Sequence, residues 1–319
     1  MKLEKLINTM IYNFYLPNEV MNTLKKDYFI LTKNEEWLKI IKHIPSYDTC
    51  NKLPENKTII LDSQEILELS YDFFKQATNK EIFEQFQNIY DNNLTRFKFS
   101  YFNNPYLSGY SLYFSFFNHY YMQIYQSKTF SDVTTTNHEF GHLIQFFNNY
   151  HKNLFNEHYM YLEIVSIFLE LLSNEYYIKQ GYELEGINNS KNYIKQALGN
   201  LQKLKEEIRI IQKINANGNI KQNIKEVINQ EDNKAIREIL IYRPVQNYHY
   251  IIGLIIATNL LLLYKKDPEK AFNYLYQIIN IPENKNELEY FQTLENLELT
   301  NAQGLNEYAK LVRSRQVKK

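Results

Sequence analysis

The chain has 319 residues, enough to bury a large core as one big domain or two closely packed lobes. Lys+Arg and Asp+Glu stand equal at 36 each, so no basic excess exists to draw nucleic acid, and none is expected as a partner. One cysteine, Cys50, rules out an intrachain disulfide framework, and the charged N-terminal stretch does not read as a secretory signal, so a cytoplasmic protein is expected.

In chain order, the first 95 residues read as successive amphipathic helices, at Glu19–Leu31, Asn34–His43, Ser63–Ala77 and Lys80–Asn92. Pro17, Pro45 and Pro54 fall outside them. Between 95 and 126 the pattern changes. RFKFSYF, YSLYFSFF and HYYMQIYQ are aromatic-rich, partly alternating and broken by NNPYLSG and Asn118, which predicts a small antiparallel sheet. From Asp132 the helical period returns, with helices expected at about 132–150, 156–181, 189–213, 246–265 and 268–279, and again near the C-terminus. The run Tyr250 to Tyr264 is short for a membrane span and includes Thr258 and Asn259, so a buried helix is expected and no membrane partner. The 28 Tyr and 20 Phe accompany abundant Asn, Lys and Ile, the mark of AT-rich coding rather than of a ligand surface.

The chemistry concentrates at HEFGH, 138–142. His138 and His142 stand four apart, so on a helix both imidazoles project from one face and can share a metal. Glu139 follows the first histidine, where a carboxylate beside the ion but not on it can take a proton from water. Zinc suits two imidazoles and one carboxylate, and it lowers the pKa of bound water to roughly 7. The metzincin pattern fails, because Gln145 and Asn148 stand where its glycine and histidine belong. The stretch NEHYMYLEIVSIFLELL offers Glu157, Glu163 and Glu170 as the third ligand. Glu163 lies in a strongly apolar run where a buried carboxylate is costly without a cation. The competing reading pairs it with a lysine of a neighbouring helix. Ser166 and Glu170 share its face, placing Glu170 to hydrogen-bond a ligand from behind.

These residues resemble the thimet oligopeptidase/oligoendopeptidase F family of zinc peptidases at four places in order. They are NPYLSGYS at 104–111, YQSKTFSDVTTTNHEFGH at 125–142, LEIVSIFLE at 162–170 and NYHYIIGLIIA at 247–257. The last is similar to the family's Asn-Tyr-Pro-Tyr-x-x-Gly segment. The resemblance implies a mainly α, zincin-like (gluzincin) fold with one small antiparallel sheet beside the active-site helix. An N-terminal helical region (1–95) would pack as one unit with a catalytic region, 96–319, made of the sheet at 96–126 and helices at 132–315. It also implies one Zn2+ on His138, His142 and Glu163, with Glu139 as general base and Ser166 and Glu170 behind the ligands. Tyr250 would donate to the oxyanion and Tyr248 would contact substrate, giving a zinc metalloendopeptidase of oligopeptides. A non-catalytic zinc- or peptide-binding relative of the same fold is the alternative.

Two departures from the family stand out. It usually has a histidine shortly before the tyrosine pair, where this chain reads IYRPVQ, leaving His249 or Arg243 as the substitute. Only 137 residues precede His138, so the wall of a substrate channel is expected to be reduced, or supplied by a second subunit in a homo-oligomer.

Overall fold

A computed structural model describes residues 60–92, 95–101, 108–114, 119–148, 163–215, 222–223, 226, 246–281 and 287–315. The helices expected at Glu19–Leu31 and Asn34–His43, and most of the polar stretch after 215, lie outside the described residues. The chain divides into two compact units. One is Met1–His43 with Gln196–Ile251, and the other is Ile44–Lys195 with Ile252–Lys319. The second carries the HEFGH segment.

Helices α1 (Ser63–Ala77) and α2 (Lys80–Tyr90) open the described part of that unit. Asp62 starts α1 as one half of a capping box: its carboxylate accepts from the N–H groups of Gln64 and Glu65, and Glu65 accepts from the N–H of Asp62 in return. Asn79 caps α2 through the N–H of Ile82. Strands β1 (Arg96–Ser100), β2 (Gly109–Phe114) and β3 (His119–Tyr125) follow, ordered β1-β3-β2.

The sheet is mixed, not antiparallel throughout as the sequence led us to expect. β2 and β3 pair antiparallel across a short connection, whereas β1 pairs parallel with the far edge of β3. Two chain reversals separate β1 from β3, so they run the same way, and alternation of apolar residues carries no record of that direction.

Helix α3 (Ser131–Asn148) packs against β2 and β3, and α4 (Glu163–Lys179), α5 (Glu183–Asn215), α6 (Gln246–Lys266), α7 (Pro268–Ile279), α8 (Glu287–Asn296) and α9 (Gln303–Ser314) follow along the chain. The fold is mainly helical, as expected. Among the described residues, no helix is long and apolar enough to cross a membrane.

Among the described residues, eight phenylalanines and four tyrosines are core. Phe140 of α3 sits with its ring centroid 4.7 Å from Phe86, 5.5 Å from Phe97 and 5.7 Å from Phe74, fastening α3 to α1, α2 and β1. Phe74 and Phe86 stack at 4.2 Å. At its far end α3 is tied to α2 by a reciprocal amide pair, Gln85 with Asn148, at 3.1 and 2.9 Å. Asn148, at the position a metzincin would give to histidine, is thus an anchor.

A buried ion cluster joins the far end of α4 to α6 and to the residue after α9. Arg315 grips Glu175 bidentately at 2.7 and 2.6 Å, and Lys265 reaches the same carboxylate at 3.0 Å. Burial raises the Glu175 carboxyl, but Arg315 and Lys265 together outweigh it and hold the group below the usual carboxylate range. A depressed carboxylate contributes stability above its unfolded value, and loses it as pH falls through its folded one. Arg315→Ala leaves the charge with Lys265 alone and is expected to cost about 2 kcal/mol at neutral pH. The deficit should shrink in acid. Urea unfolding at the two pH values checks this; an unchanged midpoint at neutral pH contradicts it.

Candidate metal centre

Helix α3 brings His138, Glu139 and His142 to one place, and its start is fixed by a buried staple. Asp132 accepts from the N–H and hydroxyl of Ser127 at 2.8 and 2.7 Å and from the N–H of Lys128 at 3.1 Å. That hook holds Lys128 in the left-handed region, at φ 60. A second lock comes from Asn137, which donates to the Tyr177 hydroxyl of α4, and that hydroxyl donates to the carbonyl of Leu69 in α1.

Helix α4 crosses α3 closely because of Gly141. A Cβ at that position would stand 2.5 Å from Ser166 Cα and 2.9 Å from its backbone nitrogen. Ser166 is one turn from Glu163, so the contact sets how near Glu163 comes to the histidines. Gly253 of α6 does the same from behind: a Cβ there would meet that of Glu163 at 2.9 Å. The family-like glycine of the fourth segment therefore has a packing reason.

The result is a tight cluster. Glu163 Oε2 lies 3.3 Å from His138 Nε2 and 3.8 Å from His142 Nε2, and the three ligand atoms all lie within 4.8 Å of one another. Tetrahedral zinc with bonds of about 2.0–2.1 Å needs donors roughly 3.3 Å apart, so these residues fit such an ion with small adjustments. Glu170 Oε2 lies 2.9 Å from His138 Nδ1, leaving Nε2 as the nitrogen facing the cluster. Ser166 donates to the carbonyl of Glu163 at 3.1 Å, with the Glu163 carboxylate at 3.5 Å. The side chains of His138, His142, Glu163 and Glu170 are 14–16% exposed, shielded yet reachable from solvent.

The electrostatics call for a cation. Burial pulls the His138 pKa down, but hydrogen bonds to Glu163 and Glu170 prevail and hold it well above its ordinary value. Two carboxylates thus converge on one imidazole, an arrangement that favours a positive charge among them. A proton meets that need, and a divalent metal meets it too.

Glu139 is almost wholly buried, and burial pushes its carboxyl up to about 7, against lowering by His138 and by Ser111. Its Oε2 accepts from Ser111 Oγ at 2.7 Å, and Gly109 abuts its other side. Ser111 and Gly109 are the site neighbours that motif spacing missed. The NPYLSGYS segment was the one signal pointing to them.

Of the other expected site residues, Tyr250 is half-buried near the start of α6. The side chains of Tyr248 and His249 lie outside the described residues, as do Arg243 and Glu157.

No family model and no curated protein matches the sequence. Solved structures do match. A PZ peptidase A solved with an inhibitor superposes with a TM-score of 0.61 at 13% identity, over 80% of this chain and 50% of that one. A protein described as an oligoendopeptidase F gives 0.60 at 12% identity, over 82% and 50%. Another so described, from Bacillus anthracis str. Ames, gives 0.54 at 17% identity, over 93% and 56%.

The chain has the fold of the oligoendopeptidase F peptidases. The resemblance read from four short segments therefore holds at the level of the fold. The chain spans about half the length of each of these three matched proteins.

Proposed function

We propose that the protein is a zinc-dependent endopeptidase of oligopeptides acting in the cytoplasm. One observation carries the reading: His138, His142 and Glu163 converge to within 4.8 Å, with the Glu139 carboxylate buried beside them. His138, His142 and Glu163 would hold the ion, Glu170 would orient His138, and Ser166 would steady Glu163. Bound zinc supplies Lewis acidity, polarising a carbonyl and making water nucleophilic near neutral pH.

Glu139 accepts the proton of the water that attacks the scissile carbonyl carbon, and delivers it to the departing amine nitrogen. Tyr250 donates a hydrogen bond to the carbonyl oxygen as negative charge develops there, and Tyr248 and His249 bear on the bound peptide. The roles of Tyr248 and Tyr250 rest on the family resemblance of their segment, and His249 enters as the substitute for the histidine that the family has upstream.

Dialysis against a chelator is expected to abolish hydrolysis of a mixed-length peptide library, and one equivalent of zinc per chain to restore it. The same addition should raise the melting temperature, since a ligand bound by the folded state stabilises it. Undiminished hydrolysis by metal-free protein contradicts the proposal. A zinc-dependent rise in melting temperature with no hydrolysis assigns the chain to the non-catalytic alternative.

A further inference from the structure

We infer that Ser111 is the positioning residue of Glu139, holding one carboxylate oxygen from strand β2 so that the other is left to handle the proton. The inference rests on the general-base role proposed above and adds a strand to it. Ser111 Oγ lies 2.7 Å from Glu139 Oε2 and 3.1 Å from the Glu139 backbone carbonyl. A hydroxyl has one proton to give, and the charged acceptor at the shorter distance takes it. Oε1 faces Gly109 instead, where a Cβ would stand 3.0 Å from Oε1 and 3.1 Å from Glu139 Cγ. The carboxylate is therefore bracketed by a donor on one oxygen and bare backbone at the other.

Ser111 and Gly109 can do this together because they are two apart on a strand and share its face. Their register is fixed on β3, with Gly109 opposite Ile124 and Ser111 opposite Met122, and both of those side chains are fully buried. A glutamate on a helix has three side-chain torsions, of which the helix backbone restricts mainly the first. The sheet makes the selection. Oε1 then takes the proton from water and returns it to the amine nitrogen, while the Ser111 hydroxyl keeps its own proton throughout.

The test compares Ser111→Ala, Ser111→Thr and Glu139→Gln with the wild type, in zinc-loaded protein on one peptide substrate. Ser111→Ala is expected to lower kcat roughly tenfold, to leave KM within about twofold and to retain one zinc per chain. Ser111→Thr, which keeps the hydroxyl, should recover most of kcat. Wild-type kcat in Ser111→Ala, or a threonine variant as slow as the alanine one, overturns the inference. So does loss of zinc from the alanine variant, which would make Ser111 a merely structural residue. The underlying mechanism fails separately, on an active Glu139→Gln.

Discussion

Glu139→Gln is expected to lower peptide turnover by about 10³-fold or more while the bound metal stays at one per chain. The amide keeps the shape of the carboxylate and can still accept from Ser111, 2.7 Å away in the parent, but it cannot take a proton from water. Glu139 is not among the three residues whose ligand atoms converge, so the metal should remain. Zinc content and kcat measured on one preparation check this; turnover within tenfold of wild type rules out the general-base role.

A second readout is independent of activity. Burial raises the Glu139 carboxyl from 4.5 to about 7, so in the metal-free protein its ionised form costs the folded state stability. The cost is absent below the unfolded carboxylate range, grows as pH rises and is complete above pH 7. Metal-free Glu139→Gln should therefore melt above metal-free wild type at pH 8, and with it at pH 4.

Gly141→Ala is expected to weaken zinc binding by about 100-fold or more and to destabilise the fold by about 1–3 kcal/mol. Two effects compete. Alanine is the better helix former by about 1 kcal/mol, which favours the variant. Against this, the new Cβ would stand 2.5 Å from Ser166 Cα, and a backbone atom cannot swing aside as a side-chain tip can. The clash wins. The helices must part, and Glu163, one turn from the contact, draws back from both imidazoles. Calorimetric zinc titration beside thermal melting separates the two losses; wild-type zinc affinity in the alanine variant means that helix spacing does not set the ligand geometry.

Local features were the legible part of this molecule. The four-residue spacing of His138 and His142 fixes a shared helical face, and the apolar company of Glu163 marks a carboxylate that needs a cation. The helices at Ser63–Ala77 and Pro268–Ile279 coincide with the hydrophobic period. What escaped depends on residues far apart in sequence. Ser111 and Glu139 are 28 positions apart, and no pattern along the chain states that a hydroxyl on one strand meets a carboxylate on a helix. Parallel pairing of β1 escaped for the same reason. Gly141 and Gly253 were visible as letters of motifs, but their meaning as spacers appears only once α3, α4 and α6 are packed.

The anchoring of α3 bears on what the proposed metal would have to do for the fold. Asp132 at one end, Phe140 midway and Asn148 at the other fasten the helix through contacts that involve no ion. A site assembled this way does not depend on zinc for its shape, in contrast to small zinc domains that are unfolded without it. Little conformational entropy remains to be lost on capture. Under the proposed function the metal would leave and return in a chain that stays folded, and metal supply in the cell would set the active fraction of the protein rather than its survival.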